Sequence, residues 1–111
     1  MQDQGIEIVR PWSPEMYAHN AEVMKARRAA VRLALHAALH AGDEVEVRYI
    51  AQAICAVQHG LGYSVSQIVT DALTTLDAMA GYWMYQETWP ALLARGIVQP
   101  TRMEFVGYRP A

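Results

Sequence analysis

The sequence predicts a mainly α-helical domain: three principal helices packed as a bundle, a short fourth helix, and a small β-pair formed by the N- and C-terminal segments. Three observations carry this reading. Apolar residues recur at helical spacing over most of the 111 residues, helix-capping side chains stand where those stripes begin, and glycines stand where they stop. With no repeat, low-complexity tract or Pro/Gly/Ser-rich linker in between, residues 1–111 read as one domain.

Gly5-Ile6-Glu7-Ile8-Val9-Arg10 has the β-branched residues of a short strand limited by Pro11, and Thr101 to Tyr108 alternates polar and apolar residues. Such a two-stranded ribbon is marginal alone and needs helices or a second subunit beneath it. The first helix starts at Ser13, an N-cap followed by Pro14, and runs to Ala41 before Gly42. Met16, Tyr17, Val23, Met24, Ala30, Val31, Ala34, Leu35 and Ala38 form its apolar stripe, opposite Lys25, Arg28, Arg32, His36 and His40. Asp43 with Glu46 opens the second helix, whose buried face is Val47, Ile50, Ile54, Val57 and Leu61 and whose end is bracketed by Gly60 and Gly62. Ser64 with Gln67 opens the third, which carries its stripe through Val65, Ile68, Val69, Ala72, Leu73, Leu76, Met79 and Ala80 to Trp83. Pro90 and Gly96 bound a short fourth helix after Trp89.

The balance of residues narrows the function classes. A hydrophobic share of 53% against 18% charged leaves little polar material to cover so small a body, so apolar surface is left for a partner. Polar residues break every apolar stretch before the ~18 residues of a membrane span, and the start has no secretory pattern. These features imply a soluble, cytoplasmic protein that does not enter membranes. A net charge of -2 is too small to steer the whole molecule to nucleic acid, and the single Cys55 excludes an internal disulfide.

Several motifs bear on chemistry. His36 and His40, four apart, can face one metal ion, as in a small metal-dependent enzyme, although no third ligand is evident. The alternative is two surface histidines near a helix C-terminus. Cys55 and His59 share that spacing, but a nucleophile also needs an orienting group and an oxyanion site, and a lone Cys suits a small apolar filler. Lys25, Arg28 and Arg32 make a basic stripe that either meets an anion or is a solvated face paired with Glu22, Asp71 or Asp77.

Leu61-Gly62-Tyr63-Ser64-Val65-Ser66-Gln67-Ile68 lies between two helices, and the Gly62–Thr74 region resembles the helix-turn-helix of many bacterial repressors. The resemblance implies DNA binding through the third helix. Gln58 departs from its small residue before the turn, and the exposed side of that helix bears Asp71 and Asp77 with no base, which opposes phosphate contact.

Tyr82, Trp83, Met84, Tyr85 and Trp89, with Met79 behind them, are the densest feature of the chain. Consecutive helical positions at ~100° per residue cannot all face one core, so part of this run is expected to meet something else. Met79, Tyr82, Met84, Tyr85 and Trp89 are therefore the candidate ligand or interface residues. The reading that unites these features is a non-enzymatic binding or assembly module acting as a homodimer, with a small apolar molecule or another protein as further partner classes and no cofactor required.

Overall fold

In the computed structural model, the described residues are 13–56, 60, 62–79 and 87–100. They form four helices: α1 (Pro14–His40), α2 (Glu44–Cys55), α3 (Val65–Ala78) and α4 (Trp89–Ala94). Both expected terminal strands lie outside the described residues, and among the described residues there is no strand.

Helix starts follow local chemistry. Ser13 accepts from the Met16 amide, Asp43 from the Glu46 amide at 3.1 Å, and Ser64 from the Gln67 amide at 3.1 Å, each satisfying a donor that a helix start would leave open. The turn after α1 is equally determined. Gly42 has a φ of 72° and donates to the Leu39 carbonyl, while the Asp43 amide reaches the Ala38 carbonyl, so Asp43 closes one helix and caps the next. Gly96, with a φ of 73°, and Ile97 repeat this arrangement on Leu93 and Leu92 at the end of α4.

Two ends differ from expectation. α2 stops at Cys55, before Gly60, because Ala56 turns into the left-handed region with a φ of 57°. A non-glycine residue there costs roughly 1–2 kcal/mol. α3 stops at Ala78 rather than continuing through Trp83, since Met79 has extended backbone and its amide turns back to the Leu76 carbonyl. Trp83 lies outside the described residues.

Packing centres on α2, which touches α1, α3 and α4, while α1 also meets α3. Its inner face of Val47, Ile50, Ala51 and Ile54 is buried against Val23, Val31 and Leu35 of α1, Ile68, Ala72 and Leu76 of α3, and Leu92 of α4, all in one core. Cys55 faces Thr75 of α3, with a long Sγ to Oγ1 separation of 3.8 Å, so its thiol fills the α2–α3 seam. Tyr17, expected in the α1 stripe, is instead 60% exposed.

Arg27 occupies an inward position of α1 and lays its guanidinium over the Trp89 ring, 5.1 Å from the centroid. A cation at a core-facing position is tolerated because its aliphatic stem packs and its head meets an aromatic face. Leu76 is fully buried where α3 meets the core, and Leu76→Ala is expected to cost about 2–5 kcal/mol in chemical denaturation. An unchanged midpoint would show that α3 is not anchored through this side chain.

Candidate functional site

Once the core is filled, two surfaces stand out among the described residues. The first is a row on the outside of α1. Ala21, Lys25, Ala29, Leu33 and Ala37, followed by the cap residue Ala41, succeed one another every four residues and are all exposed, Leu33 by 71%. Residues four apart form a continuous ridge along a helix, so a leucine projects here between alanines that leave shallow grooves beside it.

The second is a cleft between α2 and α4 of about 390 Å³. Tyr49, Gln52, Ala53 and Ala56 share one outward face of α2, and Glu87 and Ala91 stand on the opposite side. Three alanines cannot fill the space between the helices, which leaves it open. Two contacts fix its width. The Thr88 hydroxyl, buried, donates to the Ala53 carbonyl at 2.8 Å, and the Arg95 guanidinium lies over the Tyr49 ring, 3.8 Å from its centroid. Thr88 thus satisfies a carbonyl in the last turn of α2, where intrahelical donors run out, and holds the start of α4 against it.

The sequence-derived candidates are distributed differently. Met79 and Trp89 are 8% and 3% exposed and belong to the core, so their side chains have little surface to offer a partner. Tyr82, Met84 and Tyr85 lie outside the described residues.

His36 and His40 are both exposed on α1. Among the described residues no three His, Cys, Asp or Glu side chains gather as a metal site, so these two supply at most a pair of donors. His59, the suggested neighbour of Cys55, is outside the described residues. In the basic stripe, Arg32 pairs with Asp77 of α3, tying the two helices together at a partly exposed site of the kind worth up to ~1 kcal/mol.

The helix-turn-helix resemblance meets a spacing difference. Residues 56–64 separate α2 from α3, whereas that motif joins its helices by a turn of about 3–4 residues. On the outer side of α3, Gln67 donates to Asp71 at 3.0 Å and Thr70 to the Ser66 carbonyl. Those polar groups are engaged within the helix.

Sequence reasoning missed the α1 row because Ala21, Ala29, Leu33 and Ala37 belong to neither the apolar stripe nor the basic side that the spacing assigns to this helix. It missed the cleft because no residue in it is chemically conspicuous. The signal available in advance was the i, i+3, i+4, i+7 spacing of Tyr49, Gln52, Ala53 and Ala56, a second face of α2 opposite its aliphatic one.

Compared with family models, with curated proteins and with solved structures, the chain has no match in any of the three.

Replacing the Thr88 hydroxyl with a methyl group in Thr88→Val keeps the volume but leaves the Ala53 carbonyl without that donor, and is expected to cost about 1–3 kcal/mol. Thermal unfolding measures it. A variant as stable as the parent would mean that the hydrogen bond does not hold α4 in place.

Proposed function

We propose that this chain is a non-enzymatic assembly module that works as a symmetric homodimer, joined through the outer row of α1. The observation that carries the reading is Leu33, 71% exposed between the exposed Ala29 and Ala37. A two-fold contact uses the same patch on both copies, so a surface that pairs with itself must hold both a projection and a groove. This row has both. Crossing two such ridges at about -50° seats Leu33 of each copy beside the alanines of the other, and small residues let the helix axes approach closely.

At that crossing the contact is centred on Ala29, Leu33 and Ala37, because each step of four residues turns the row by about 40° around the helix. Lys25 sits toward one end, where its stem covers apolar surface while its ammonium stays in water, as suits an interface rim. The modest charged fraction of 18% supports the same reading, because a body this small has few charged groups with which to dress its outer faces. Among the sequence-derived surfaces, the aromatic run is the weaker support for dimer formation, since Met79 and Trp89 are committed to the core.

Light scattering at micromolar concentration is expected to report twice the chain mass of 12.4 kDa. Leu33→Glu buries a charge in the contact and should halve the mass. Val45→Glu, at an equally exposed position outside the row, should leave it unchanged. A monomeric parent across the micromolar range, or a dimer indifferent to Leu33→Glu, contradicts the proposal.

A further inference from the structure

The cleft between α2 and α4 has a chemical polarity of its own, independent of the dimer contact. From Ile50 to Ala94 the chain contains no Lys or Arg, and its only acids are Asp71, Asp77 and Glu87. Asp71 accepts a hydrogen bond from Gln67, and Asp77 pairs with Arg32. Glu87 is the one acid of the three without a side-chain partner among the described residues, and it stands on the cleft wall. Gln52, on the facing wall, likewise has no side-chain hydrogen bond among the described residues, so its amide oxygen is available as an acceptor. Ala53, Ala56 and Ala91 complete the lining with Tyr49, which stands one helical turn before Gln52 on α2.

We propose that this cleft binds a small organic cation with an apolar body: an ammonium head held by the Glu87 carboxylate and the Gln52 amide oxygen, and a hydrophobic tail laid over the alanines toward Tyr49. Orientation follows from charge. Arg95 already lies over the Tyr49 ring, so the Tyr49 end repels a second cation and accepts the uncharged end of the ligand, while Glu87 attracts the head. A volume of about 390 Å³ lies near the lower end of the ~300–1,000 Å³ range of small-molecule sites, which selects a compact amphiphile. Apolar walls with a few placed polar groups are the usual composition of such sites.

The probe is 2-phenylethylamine, compared with 2-phenylethanol and 3-phenylpropionate, using amide chemical shifts of the labelled full-length protein. The amine should shift the amides of Gln52, Ala53, Glu87 and Ala91 in a saturable way, and the alcohol and the acid should bind at least about tenfold more weakly, as loss of a charge-assisted contact implies. Glu87→Gln should remove that preference for the amine without changing the unfolding midpoint, because Glu87 is exposed and makes no internal bond among the described residues. Ala91→Leu should fill the cleft and abolish binding of all three probes. Equal response to the amine and the acid, an amine preference that survives Glu87→Gln, or no saturable shift at millimolar amine overturns the proposal.

Discussion

α2 has twelve residues, about 18 Å of helix, with which to hold three neighbours, and the rest of the structure depends on how it does so. Four inward side chains, Val47, Ile50, Ala51 and Ile54, are each at most 2% exposed. Burying an aliphatic side chain of this size is worth roughly 1.5–3 kcal/mol, so this short face is a large contributor to the one core that α1, α3 and α4 share. The ends of α2 are constrained as well. Asp43 ties its start to the end of α1, and Thr88 ties its last turn to α4.

That arrangement determines what remains outside. Because the inner face of α1 is spent on α2, α3 and Trp89, its outer row of alanines and Leu33 has no partner helix among the described residues. Similarly, α2 turns Val47, Ile50 and Ile54 inward and leaves Ala53 and Ala56 in the cleft toward α4. The contacts at Thr88 and Arg95 pin α4 to α2 at two points, and the alanines between them are too small to close the gap that remains. The row and the cleft are both products of where bulk was placed, one on a helix with too much apolar surface and the other between helices with too little.

Helix starts were legible in the sequence because capping is local: Ser13, Asp43 and Ser64 each bond an amide three residues on. Gly42 and Gly96 were legible as stops for the same reason. The end of α2 was not, since Ala56 adopts a left-handed turn without giving the glycine signal that usually marks one. The extension of α3 to Trp83 followed an apolar period that the backbone abandons at Met79. Periodicity also placed the inner faces of the helices well, yet it cannot foresee that Arg27 finds Trp89 some sixty residues away, or that Tyr49 finds Arg95, because those pairs exist only once α4 has docked. Of the candidate site, the sequence showed a surplus of apolar surface without its location.

The central claim is that α2 is the last element to come apart and therefore a rigid base for both the core and the cleft. Native-state hydrogen exchange tests it directly. The amides of Ile50, Ala51 and Ile54 should exchange only through global unfolding, with a free energy equal to that from chemical denaturation, while the first turns of α1 open more easily. Exchange of these α2 amides at a markedly lower free energy than those of Val31 and Leu35 in α1 would contradict the account.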